Sequence, residues 1–225
     1  MTDRAGWALR TAAIGLAAFG VAIACAPTAR AADGWYIGGA VGGSIQEIRH
    51  IGGSGVVYNP DFGPGFALMA NGGYKKKALR LEGEMSWRRY QVDTIKGVTG
   101  NTLIQNGIGM SATGALDTYA IMGNAYLHLP VPFSLDPYLG MGLGMAWTNF
   151  NDVTAGGVQV ADGGDWGWAG QAIFGVGLSF IPLPVDLGLE YRFMFVDESK
   201  IVHAGRTLKY ENQNHTLMLS ARYAF

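Results

Sequence analysis

The sequence predicts an all-β chain: an eight-stranded antiparallel transmembrane β-barrel after a cleaved N-terminal signal peptide, with residues 1–31 as the signal and 32–225 as the barrel. Three observations carry this. Bulky apolar residues recur at every second position in eight separate stretches, with small or polar residues between them. The number of stretches is even, and the connections between them alternate between short and long. Beyond the first thirty residues no apolar run reaches the roughly 18 residues that a membrane helix needs.

Composition excludes other classes. Of 225 residues 35 are glycine, 49% are apolar and 15% charged, with a net charge of −1. Glycine is used about twice as often as in ordinary globular chains. The charge is too small and too balanced for a nucleic-acid binder, so no nucleic-acid partner is expected, and the apolar content is too high for a disordered chain.

The elements follow in order. Arg4 and Arg10 precede an apolar run over 11–25, and Ala29-Arg30-Ala31 supplies the small-x-small pattern of a signal-peptidase site. Cleavage is expected after Ala31, with Ala29 and Ala31 as the recognised residues. A signal anchor is an alternative, and Ala22-Ile23-Ala24-Cys25 loosely matches a lipoprotein signal, although Ala rather than Leu stands three before the cysteine. After cleavage at Ala31 the chain has 194 residues and no cysteine. Three of the sixteen basic and one of the seventeen acidic residues leave with the signal, for a net charge of −3.

Strands are expected at roughly 34–47, 64–75, 78–93, 113–129, 135–150, 165–180, 185–198 and 211–225. The pattern is plainest where Leu139, Met141, Leu143, Met145 and Trp147 alternate with Tyr138, Gly140, Gly142, Gly144, Ala146 and Thr148. Lys75-Lys76-Lys77, 130–134 and 181–184 form tight connections. The stretches 48–63, 94–112, 151–164 and 199–210 read as long loops rich in Gly, Asn, Asp and Thr. A soluble, lipocalin-like barrel would turn its apolar face inward. Here the face opposite the bulky apolar one carries charge, so the apolar face is assigned to lipid, which tolerates no open sheet edge and demands closure.

By parity the lumen receives Arg80, Glu82, Glu84, Arg88, Glu190, Arg192 and Arg222, together with Asn71, Asn124 and Gln171. An eight-stranded interior is just wide enough to be filled by side chains. Four arginines and three glutamates are therefore expected to pack as a salt-bridge network that plugs the barrel, in preference to a gated ion path. Two aromatic girdles are expected. Trp35, Tyr74, Phe133, Tyr138, Phe180, Tyr223 and Phe225 lie at the short-turn end, and Trp87, Tyr119, Trp147, Trp166 and Trp168 toward the loops.

The stretches Gly34-Trp35-Tyr36-Ile37-Gly38-Gly39, Tyr138-Leu139-Gly140-Met141-Gly142-Leu143-Gly144, Leu187-Gly188-Leu189-Glu190-Tyr191-Arg192-Phe193 and Ala221-Arg222-Tyr223-Ala224-Phe225 together resemble the small OmpA/opacity-type, porin-like outer-membrane β-barrel family of Gram-negative bacteria. The likeness covers essentially the whole chain after residue 31. It implies location in the bacterial outer membrane, contact with its lipid and lipopolysaccharide, and insertion by the barrel-assembly machinery. That machinery reads an alternating last strand with a terminal aromatic, here Leu217, Leu219, Tyr223 and Phe225; Ser220 or Ala221 stands where the family often has Gly. No cell-wall-binding domain is expected after the last strand.

No enzyme is expected. His215 points outward with no serine two residues away, and His128 with Ser134 lies at the turn end, far from lipopolysaccharide, whereas a nucleophilic triad needs a base within hydrogen-bond reach. Gly140-x-Gly142-x-Gly144 has neither the spacing nor the following helix of a nucleotide loop. His203, His215, Asp197, Glu198 and Glu211 lack fixed ligand spacing, so no metal and no cofactor is expected. Two functions are left: a structural and surface-interaction role, with envelope integrity and loop-mediated surface ligands, or a narrow channel for small or apolar solutes.

Overall fold

In a computed structural model the described residues are 33–53, 56–99, 109–131, 135–155, 157–178, 185–203 and 206–225. The expected signal and its cleavage site, and the aromatics Phe133 and Phe180 with Ser134, lie outside them. Nine strands form: β1 (Gly34–Gly53), β2 (Val56–Phe62), β3 (Gly65–Lys76), β4 (Leu79–Thr99), β5 (Gly109–His128), β6 (Leu135–Ala155), β7 (Val158–Leu178), β8 (Asp186–His203) and β9 (Arg206–Ala224). All are antiparallel to their neighbours, and β1 pairs with both β3 and β9, from Tyr36–Ala224 up to Gly52–Lys209 on the β9 side, so eight strands close a ring.

The strand beyond the ring of eight, β2, is an upward continuation of β3. Pro64 has no N–H to offer a ladder, and the stave breaks there. Below the break β3 pairs with β1 and β4; above it β2 pairs with the tips of the same two strands. At the opposite end β3 and β4 are joined by Lys77 and Ala78 alone. Lys77 adopts the left-handed conformation (φ 55°), and its N–H donates to Asp33 Oδ1 at 2.7 Å.

The expected strand cores are all present, but much of what read as four long loops is ladder. The strand β6 runs on to Ala155, β7 begins at Val158, β4 reaches Thr99 and β8 reaches His203. A 21-residue strand such as β6 has a contour of about 70 Å, about twice the 9–11 residues that cross a membrane. Between β7 and β8 pairing ends at Ala169–Val196 although both strands continue, so the wall divides there into two hairpins.

The outer surface marks the membrane. On β4 the outward residues read Leu79, Leu81, Gly83, Met85 and Trp87, then turn polar at Arg89, Gln91 and Asp93. Met141 and Leu143 on β6 are 73% and 75% exposed. Trp87, Tyr119, Trp147 and Trp166 stand opposite one another in register on β4 to β7 and form a belt, which Phe66, diagonal to Trp87 on β3, extends; Phe66–Trp87 and Trp147–Trp166 meet edge-to-face at 5.1 and 5.4 Å. The Trp87 indole N–H donates to Asp117 at 2.9 Å, and Asp117 also meets Arg89 (3.5 Å) and Asn151 (2.7 Å). Each of these polar groups lies above the belt, which is how an aromatic ring sits at a lipid–water boundary.

Candidate functional site

Every residue assigned to the lumen by parity is buried: Arg80, Glu82, Glu84, Arg88, Glu190, Arg192 and Arg222, with Asn71, Asn124 and Gln171. They do not form the uniform ion-pair network expected. One arginine does most of the pairing. Arg192 on β8 donates through Nη1 to Glu84 of β4 at 2.5 Å and through Nε and Nη2 to Glu190 at 3.0 and 2.7 Å, so it bridges the lumen. Asn124 and Gln171 donate to the same Glu84 oxygen at 2.7 and 3.1 Å. Arg88 donates to Ser86 Oγ at 2.9 Å, and Arg222 approaches Glu190 only to 3.8 Å.

Tyrosines supply what the arginines do not. Glu82 accepts from the hydroxyls of Tyr36 (2.7 Å) and Tyr126 (2.6 Å), and Glu190 accepts from Tyr138 (2.7 Å). The same three rings enclose the Arg80 guanidinium, whose carbon lies 3.7 Å from the Tyr126 centroid, 4.7 Å from Tyr138 and 5.9 Å from Tyr36. Such contacts are strongest when desolvated, at about 2 kcal/mol or more. Tyr138 is therefore corrected from a girdle residue to a lumen residue, 1% exposed, while Trp35 and Tyr74 do face outward and touch edge-to-face at 5.2 Å.

Glycine makes the room. A Cβ on Gly140 would lie 2.5 Å from the Tyr126 ring, one on Gly73 2.5 Å from the Tyr36 hydroxyl, and one on Gly175 would strike the Tyr138 ring. The bare face of the glycine-rich strands is thus the seat of the aromatic cage, a signal that was present in the sequence: Tyr138 alternates with Gly140 and Gly142 on one face.

Above the charged layer the lumen changes character. Ala120, Met122, Ala146, Ala169, Met194 and Val196 form an apolar cluster, and Ala40, Ala67, Met69 and Met218 another. Above these, Ser44 shares hydroxyl hydrogen bonds with Tyr90 (2.6 Å) and Thr216 (2.8 Å). Tyr90, Leu116 and Phe150 are buried further up. None of these layers was anticipated, because the inward methionines and alanines carry no charge to attract notice.

The residues expected to guide assembly lie along β9 or just beyond it. Leu217, Leu219 and Phe225 are exposed, and the Tyr223 and Phe225 rings stack with centroids 6.5 Å apart. His215 faces outward and its Nδ1 meets the Tyr191 hydroxyl at 2.6 Å, whereas His128 Nδ1 meets Asp136 at 2.8 Å at the short-turn end. The side chains of His203, Glu198 and Glu211 lie outside the described residues.

A closed ring with lipid-facing apolar residues, a belt at the loop end and a filled polar lumen defines an outer-membrane β-barrel. The family model described as outer membrane protein beta-barrel domain matches residues 14–223, and the chain belongs to that family. Among solved structures it is similar to OprG of Pseudomonas aeruginosa, at 14% identity and a TM-score of 0.52 over 88% of this chain and 99% of that one. It is also similar to Neisserial surface protein A, at 17% identity and a TM-score of 0.51 over 85% and 97%. At these identities the likeness is one of fold. No curated protein matches the chain.

Proposed function

We propose that this outer-membrane barrel is closed and works as a structural and surface-interaction protein, contributing to envelope integrity and presenting its upper hairpins to ligands outside the cell, without a catalytic role. The observation that carries the reading is Arg192, held between Glu84 and Glu190 across the lumen with apolar layers stacked above it. Opening a path for solutes means separating buried charges from their partners, which costs about 3–5 kcal/mol for each pair broken. In this reading the signal is removed after Ala31, the assembly machinery recognises Leu217, Leu219, Tyr223 and Phe225, and lipopolysaccharide packs against the outer surface below the tryptophan belt.

The test is single-channel recording on residues 32–225, refolded in detergent and inserted in a planar bilayer. Silence from folded, inserted protein is the expected result. Reproducible discrete steps overturn it in favour of a narrow channel for small or apolar solutes, and direct mutagenesis to Arg80, Arg88, Glu82 and Glu190.

A further inference from the structure

At the short-turn mouth of the lumen a cavity of about 30 Å³ is lined by Lys75, Arg80, His128, Asp136, Asp186 and Arg222, with Tyr36 among the residues that close it. Unused donors line it. Arg80 is 2% exposed, and none of its Nε, Nη1 and Nη2 atoms has a hydrogen-bond acceptor; Arg222 Nη1 has none either, its nearest carboxylate being Glu190 at 3.8 Å. The aromatic cage holds the Arg80 guanidinium by its faces and leaves its N–H edge unsatisfied. A buried cation is ordinarily matched by an acceptor, since leaving its donors unmade costs more than an ordinary hydrogen bond returns. Of the two carboxylates on the wall, Asp136 is engaged by Lys75 (3.3 Å) and by His128 Nδ1 (2.8 Å). Asp186 stands at the register position opposite Arg222. Beside His128 the lining carries the cations of Lys75, Arg80 and Arg222 and the carboxylates of Asp136 and Asp186.

We propose that this cavity is a binding site for a small monovalent anion of halide type, held by Arg80 and Arg222. Sign and size select the ligand. The Arg80 donors call for an acceptor, and the space is that of one or two water molecules, too small for a carboxylate metabolite or an organophosphate. The lipid-side lumen then contains a third means of charge compensation, besides carboxylates and tyrosine rings.

The experiment measures the thermal midpoint of the detergent-folded protein while sodium gluconate is replaced by sodium bromide at constant ionic strength. Gluconate cannot enter the cavity, so a specific site gives a saturable rise of about 3 °C in bromide. The rise should vanish in Arg222→Gln and persist in Arg89→Gln, whose side chain lies above the belt. Anomalous scattering from crystals grown in bromide should place the ion beside Arg80 and Arg222, a readout that stands even if Arg80→Gln fails to fold. A midpoint that does not respond to bromide, an equal rise in Arg222→Gln, or a cavity occupied by water alone in those crystals overturns the proposal.

Discussion

Below the tryptophan belt the barrel is apolar outside and holds its paired carboxylates and arginines inside; above it the same strands are polar outside and enclose a mixed interior, where Tyr90, Leu116 and Phe150 pack beside Ser44, Thr118, Asn214 and Thr216. On β4 the outward residues Leu81 and Met85 give way to Arg89, Gln91 and Asp93, while the inward series passes from Arg80, Glu82 and Glu84 through Ser86 and Arg88 to Tyr90 and Val92. On β5 outward Ile121 gives way to the polar cluster around Asp117, and inward Asn124 to Leu116. Two-residue alternation is common to both regions and does not itself say which face is wet. The solvent on the outside decides which residues the outer face carries, and the interior changes from paired charge to a mixture of apolar and neutral hydrogen-bonding groups with Arg88. In lipid the outer face must be apolar and the narrow lumen is free to hold paired charge; in water the outer face solvates, and the interior packs apolar side chains among hydrogen-bonded Ser, Thr and Asn.

The largest expected effect tests the charged region. Arg192→Ala leaves Glu84 and Glu190 without their shared cation at full burial, and should destabilise the barrel by about 3–5 kcal/mol. The checks are the temperature of the heat-modifiable shift on gel electrophoresis and the urea midpoint in detergent. A change below about 1 kcal/mol would mean that the tyrosine hydroxyls and Asn124 already satisfy both carboxylates.

The next prediction compares the two outer faces on one strand. Met85→Arg puts a charge among lipid chains and should cost about 2–4 kcal/mol, whereas Gln91→Arg, six residues along and above the belt, should cost about 0–1 kcal/mol. Folding titrations in lipid vesicles read both. Equal costs would place the water boundary elsewhere than at Trp87, and the change of the outer face would lose its cause.

Much of this was legible in the sequence. Parity alone placed Arg80, Glu82, Glu84, Arg88, Glu190, Arg192 and Arg222 inside, because a period of two admits only two faces and charge identifies one of them. The upper wall was hidden by two features. Residues 94–112 and 151–164 are rich in Gly, Asn, Asp and Thr, which read as loop, and register shifts at Gln91/Thr94, Thr113/Ala115 and Phe150/Val153 change the parity just where the solvent changes. Who pairs with whom was not legible at all. Glu84 and Arg192 are 108 positions apart and meet because ring closure brings β4 and β8 to opposite walls of one lumen, a relation that no local pattern encodes.

The smallest expected effect concerns the glycines, and it distinguishes packing inside the lumen from packing against lipid. In Gly140→Ala the new methyl group meets the Tyr126 ring at 2.5 Å, so the ring must move. That ring lies 3.7 Å from the Arg80 guanidinium, and its hydroxyl donates to Glu82 at 2.6 Å, so displacement disturbs both contacts and should cost about 1–3 kcal/mol. Gly123→Ala makes the same chemical change on the lipid face, where the nearest atom to the new methyl is the Leu143 carbonyl oxygen at 3.9 Å. With ordinary van der Waals contact and an unfolded chain that has less freedom to lose, that variant should be neutral or slightly stabilising. A matched pair of urea titrations decides it. If both variants behave alike, the tyrosine cage yields to a methyl group and is not what holds Arg80; if only Gly140→Ala is destabilised, the glycine-rich inner face exists to seat those rings.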